Sequence, residues 1–381
     1  MVSCCPIASV GSSIRCSTAF LEYRYGEGGD SVRVLVVGAG PLGSLMAARL
    51  HEAGQDVTVL ARGQRLQDIR EHGIVLESGI DGPRTVTRVK AVESLQPDDR
   101  YDLVMVVMRK NQAEQILPVL VANRKTPTIL FMMNNFAGFQ PLVEALGEER
   151  VMVGFPLPGG ERIGHVMRIV PIDRMHRYTI PIGEPDGLIR DRTREVAAVL
   201  RTMEGYKVEI RQDMDAWLKY HVAALMPALV PAVYASGTSV ERMARTRDAV
   251  VLAVRGMREA FRALEKAGVP MSPRKFRILY WIPEPLLVFL VRRKLKGEAM
   301  KISGEGHLKA AREEVESLTQ EFRDFVRRNG IATPVIDSMS KWYEPGTPPL
   351  PDGSSAIPLR WQGLIVTVLA LALIVVLIII L

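Results

Sequence analysis

"VRVLVVGAGPLGSLMAARLHEAGQDVTVLAR", residues 32 to 62, decides how the chain folds. It opens with a continuous apolar run, as expected of a strand covered on both faces of a sheet. Gly38, Gly40 and Gly43 follow in the spacing G-x-G-x-x-G, and a helical pattern then runs from Leu42 to Ala53. Pro41 suits the first helical position, where no backbone N–H is needed. Gly54 ends the helix, and "DVTVLAR" supplies a second strand. A glycine triplet alone carries little weight. Between a strand and a helix, within one βαβ unit, it predicts a dinucleotide site with the pyrophosphate at the helix N-terminus. Gly38, Gly40, Pro41, Leu42 and Gly43 are the expected cofactor contacts. At the end of the second strand an NAD-type site usually carries an acid for the ribose 2′-hydroxyl. Here the position is Arg62, which pairs with a 2′-phosphate instead, so the expected cofactor is NADPH.

Outward from this unit, further strands are expected at 102–108, 128–133 and 151–156, with pieces at 165–171 and 178–183 completing the sheet. Helices dominate afterwards, over 188–204, 214–235, 239–267 and 305–329, with a proline-broken hairpin in between. The predicted class is α/β. A doubly wound Rossmann-type domain spans 32–185 after a disordered leader of 1–31, and a helical substrate domain spans 186–343. A Pro/Gly/Ser linker follows at 344–361. The last stretch, 362–381, ends "GLIVTVLALALIVVLIIIL" without a charge. It is roughly 28 Å long as a helix, near the thickness of the bilayer hydrocarbon. It reads as a transmembrane anchor that leaves the catalytic body in the cytoplasm.

The net charge is +7 over 381 residues. The basic residues are scattered and carry no nucleic-acid signature, so no nucleic-acid partner is expected. The densest basic cluster flanks an apolar stretch at 273–296, readable either as a membrane-surface element or as a hairpin with a solvated end. All three cysteines lie within the first sixteen residues, which excludes a disulfide framework or a thiolate nucleophile from the body. The six histidines are dispersed, and no metal site is expected. The helix at 239–267 is a candidate homodimer surface.

Lys219 stands in an apolar helical run, "MDAWLKYHVAALMPALVPA", residues 214 to 232. It is either a snorkelling lysine or a cation aimed into a cleft. Several dispersed pieces bear on the choice: the glycine turn with Arg62, "VVMRKNQ", "FMMNNFAG", "WLK", and "AREEVESLTQ" before "NGIATPVID". In that order they make the chain resemble the ketopantoate reductase family, NADPH-dependent enzymes that reduce a 2-oxo acid to a 2-hydroxy acid. The resemblance implies that Lys219 is the general acid that protonates the oxygen as hydride reaches the carbonyl carbon. It implies Asn135 beside nicotinamide and substrate, and Glu314 on the substrate hydroxyl or the lysine. Arg109 or Lys110 would lie at the cofactor's edge, and Ser303 at the substrate carboxylate. Where the family has asparagines four and eight residues after the lysine, this chain has Ala223 and Pro227, and Phe136 replaces a glycine. Those changes point to a more apolar carbonyl substrate than ketopantoate. A membrane-tethered NADPH-binding sensor without turnover is the alternative, and oxidation of a lipid-like alcohol a third reading.

Overall fold

In the computed structural model, residues 31–305, 312–361 and 363 are described. The leader at 1–30 lies outside them, as do residues 362 and 364–381, where the anchor was expected. Strand β1 (Arg33–Val37) is buried from Val34 to Val37 and pairs in parallel with both β2 (Asp56–Leu60) and β6 (Leu103–Val106). The glycine turn at its end feeds α1 (Pro41–Glu52). Strands β7 (Ile129–Met132) and β8 (Val151–Gly154) extend the sheet on one side, and β5 (Lys90–Val92) closes the other. The main sheet has eight strands in the order β12-β11-β8-β7-β6-β1-β2-β5. The strand order reverses between β1 and β6, and ligands of open α/β sheets bind at such a switch point.

Two expectations about this sheet are corrected. The piece near 165–171 forms β10 (Val166–Ile169), which leaves the main sheet and joins β3 (Ile74–Ser78), β4 (Arg84–Thr87) and β9 (Gly160–Ile163) in a four-stranded sheet. The main sheet also runs past residue 185. Helix α2 (Asp191–Arg201) packs on β12 (Tyr206–Ile210), which pairs in parallel with β11 (Tyr178–Gly183). In β12 the charged Lys207 and Glu209 alternate with apolar Tyr206, Val208 and Ile210, the period-two pattern of an edge strand covered on one face.

The remaining body is helical. A continuous helix α3 spans Met214–Tyr234, and its stretch Leu225–Leu229 is π-wound, which accommodates the missing amide of Pro227. Among the described residues it is the one helix long and apolar enough to cross a membrane, and 67% of its most apolar 18-residue stretch is buried in this domain. The expected helix at 239–267 is two helices, Val240–Arg245 and α4 (Arg247–Lys266), broken at Thr246 in an extended conformation. Helix α4 packs along α3, with Tyr220 edge-on to Phe261. Helix α5 (Arg312–Arg328) adds Val315, Leu318 and Phe322 to the same core.

Residues 344–361 are not a free tether. They run across the helical domain as a strap, because their backbone groups find fixed partners there. The buried Asp248 carboxylate accepts from the amides of Ala356 and Ile357, both at 2.9 Å. Arg242 and Arg255 donate to the carbonyls of Leu350 and Pro358, each at 2.7 Å. The Arg360 amide donates to Glu284 at 3.0 Å.

Candidate active site

The three glycines of the turn have separate physical reasons. A Cβ on Gly38 would meet the Val107 carbonyl oxygen at 2.3 Å, and the residue has φ +108°. One on Gly43 would lie 1.8 Å from the Gly38 carbonyl oxygen, so helix and strand close up only without it. Gly40 faces open space, with nothing within 4 Å. The turn therefore leaves bare backbone and room at the N-terminus of α1, which fits a pyrophosphate. Arg65 braces it from below. Its guanidinium donates to the Ala39 carbonyl, the Ser44 hydroxyl and the His165 carbonyl, and burial holds its pKa below the usual arginine value.

From this turn a cleft of about 1020 Å³ opens between the sheet and the helical domain. Gly38, Gly40, Pro41, Leu42, Gly43 and Arg62 line its cofactor end. Arg109, at the N-terminus of the helix Lys110–Ala122, lines it as well. Lys110 is instead ion-paired with Glu321 and is absent from the lining. Geometry thus favours Arg109 over Lys110 as the cation at the cleft.

At the other end the structure rearranges the expected set. Glu314 lies in the cleft wall at 3% exposure. Burial raises its pKa, while hydrogen bonds from the Asn134 side chain and the Lys110 amide, and the charge of Arg109, pull the other way. Ser303 also lines the cleft, and its hydroxyl donates to the Ala299 carbonyl. Asn135 does not line it. The period of two along β7 puts Asn135 on the face of Phe131 and Met133, with which it lines a narrow gap, and its amide donates to the Gly138 carbonyl at 2.7 Å. Its neighbour Asn134 takes the cleft position.

The lysine also stands elsewhere than expected. Lys219 pairs with Asp215 one turn earlier, keeps 13% of its side chain exposed, and is not among the cleft-lining residues. The face of α3 toward the cleft carries His221, Leu225, Met226, Leu229, Val230 and Val233. His221 stacks on Trp217 at 5.2 Å and tilts against Phe155 at 4.2 Å. Ala223 is fully buried in the helical core and Pro227 is buried too. Phe136 does not line the cleft either, but sits edge-on to Phe322 and Phe325 inside that core. The residues missed from the sequence were thus Asn134 and His221. Strand alternation past Met132 and helical spacing from Trp217 to His221 were the signals that locate them.

A parallel sheet opening at a glycine turn onto a cleft with a helical domain defines a dinucleotide-binding class of protein. Residues 34–169, a little over a third of the chain, match the model of the family "Ketopantoate reductase PanE/ApbA". The 2-dehydropantoate 2-reductase of Aquifex aeolicus is 25% identical over 323 residues, covering 81% of this chain and 95% of that protein. Alignment with another curated relative spans only 61% of its length. Among solved structures, a 2-dehydropantoate 2-reductase from Geobacter metallireducens covers 83% of this chain and 100% of its own at 20% identity and TM-score 0.67. D-mandelate dehydrogenase with NADH and anilino(oxo)acetate covers 81% of this chain and 96% of its own at 13% identity and TM-score 0.66. These two share the fold. By these matches the chain is similar to the ketopantoate reductase PanE/ApbA family over residues 34–169 and to 2-dehydropantoate 2-reductases, oxidoreductases acting on CH–OH groups.

Proposed function

We propose that this chain reduces an apolar 2-oxo acid to the 2-hydroxy acid with NADPH. The observation that carries the reading is the composition of the cleft, a glycine turn and Arg62 at one end and Glu314 with Asn134 at the other. The bound nicotinamide supplies the hydride. The chain's own residues then hold the substrate and manage the proton. Hydride addition leaves an alkoxide, and a neutral carboxyl within reach stabilises and protonates it better than a carboxylate would. Burial keeps Glu314 toward that neutral form. Asn134 orients it, and Ser303 and Arg109 are the polar groups on hand for the substrate carboxylate.

Lys219 keeps the role that the resemblance implies only by exchanging Asp215 for the cleft. Parallel turnover measurements on Glu314→Gln, His221→Ala and Lys219→Ala decide between them. Collapse in Glu314→Gln with cofactor still bound supports the carboxyl. Collapse in Lys219→Ala alone returns the proton to the lysine. The apolar wall of Leu225, Met226, Leu229, Val230 and Val233 favours a substrate with a bulky apolar substituent. The mandelate-type neighbour, whose bound acid carries an aromatic group, is consistent with that choice and with NADH as the competing cofactor. Tight NADPH binding without turnover on aliphatic and aromatic 2-oxo acids would instead favour the sensor reading. We also place this body at a membrane, through the charge-free run 364–381.

A further inference from the structure

The hairpin between the helices of the second domain presents a surface that the reaction does not use. After a short 3-10 turn, Arg274–Arg277, come a helix at Ile278–Trp281 and, beyond Pro283, the helix Glu284–Leu295. Its outward residues are apolar. Trp281 is 82% exposed, Ile278 60% and Phe289 59%, and Leu286 and Leu290 are exposed on the turn of helix shared with Phe289. Water-facing helices of a soluble body do not gather such residues without a partner. The strap ends beside them. The Arg360 amide is fixed to Glu284, and a Cβ added to Gly363 would stand 4.0 Å from the Pro283 Cα, so half-exposed Trp361 joins the same edge.

Charge selects the partner. Between residues 273 and 297 the sole acid is Glu284, which is buried and held by Arg255 at 2.7 Å. The exposed charges are all positive: Arg274, Lys275 and Arg277 at one end, Arg293, Lys294 and Lys296 at the other. Exposed tryptophans and leucines between basic ends match the headgroup boundary of a bilayer with anionic lipid. The chain outside the described residues supplies the second argument. Directly after Gly363 come eighteen residues without a charge, 364–381, beginning at this edge.

We propose that the face formed by Ile278, Trp281, Leu286, Phe289, Leu290 and Trp361 lies on the surface of an anionic bilayer, with its basic ends on lipid phosphates. Lys294 belongs both to this face and to the lining of the cleft, so docking holds the cleft beside the headgroups. The inference goes beyond the reductase reading and does not require it.

The test uses the full chain in vesicles of phosphatidylcholine and phosphatidylglycerol whose acyl chains are brominated near the headgroup. Tryptophan fluorescence should be quenched by the brominated lipid, and Trp281→Phe should lose a large part of the quenched signal. Arg293→Gln with Lys296→Gln, or neutral vesicles, should weaken the Trp281 quenching severalfold. Trp281 is mostly solvent-exposed, so its replacement leaves packing intact. Equal quenching in wild type and Trp281→Phe would overturn the proposal. So would a detergent-solubilised dimer that Phe289→Glu dissociates, which would assign the face to a second copy of the chain. Oxo-acid turnover by the same preparations is read separately, so loss of docking and failure of the reductase reading are distinguishable.

Discussion

The glycine turn and the cleft face of α3 meet across one cavity, yet they obey their sequence rules to different degrees. At the turn, Gly38 and Gly43 follow from backbone constraints that only glycine satisfies. Gly43 is glycine because a carbonyl oxygen stands where its Cβ would be. On α3 no backbone constraint chooses the side chains, and the rotational setting of the helix decides which of them reach the cleft. Lys219 and His221 are two residues apart, roughly 200° around a helix, so they face different partners. Backbone rules are thus readable from spacing, while side-chain roles depend on helix phase that tertiary packing sets.

The largest expected effect tests the backbone half of this contrast. Gly43→Ala should cost about 3 kcal/mol or more, because backbone rather than a flexible side chain must move. Gly40→Ala should leave the melting temperature nearly unchanged and weaken cofactor binding instead, since its Cβ points into open space. Thermal melts with cofactor titrations check both. Equal destabilisation by the two would break the distinction between closure and room.

Next comes the strap, a region that composition alone misjudges. Asp248→Ala removes the acceptor of two backbone amides and should cost about 2 kcal/mol, with 345–361 becoming accessible to protease. An unchanged melt and digestion pattern would mean that the strap is held elsewhere. Smaller again is the effect at the cofactor edge. Arg62→Ala should weaken NADPH binding roughly tenfold to a hundredfold while sparing NADH. Equal losses for both cofactors would remove the 2′-phosphate from the assignment.

How far the chain could be read follows the same line. The strand–turn–helix unit, the α/β class and the change to helices were legible because continuous apolar strands and glycine spacing are local. The β12 edge strand carries its own local signal, Lys207 and Glu209 alternating with apolar neighbours, but it lies among segments read as helical, and β10 left the main sheet through a pairing with β3 that lies far away in sequence. At the site, Glu314, Ser303 and Arg109 do reach the cleft, whereas Asn135 stands one residue past the cleft-lining Asn134 and Lys219 faces away from it on α3. The strap read as a linker because Pro, Gly and Ser say how a backbone bends. They do not say that Asp248, a hundred residues earlier, will hold it.

The smallest effect probes Glu314, where burial and hydrogen bonding oppose each other. Desolvation raises its folded-state pKa above the ordinary 4.5, so the native state keeps a proton that the unfolded chain releases. Folding then takes up a proton across that window. The contribution is fully present below pH 4.5 and is lost as pH rises through the folded value. Glu314→Gln has no such proton to lose, so wild type should lose stability relative to the variant as pH rises above 4.5. Paired denaturant titrations across pH measure the difference directly. A gap that stays constant with pH would mean the hydrogen bonds from Asn134 and the Lys110 amide offset the burial, leaving a carboxylate in the cleft. That carboxylate could accept a hydrogen bond from a substrate hydroxyl but could not protonate an alkoxide, and the proton would then have to come from His221 or Lys219.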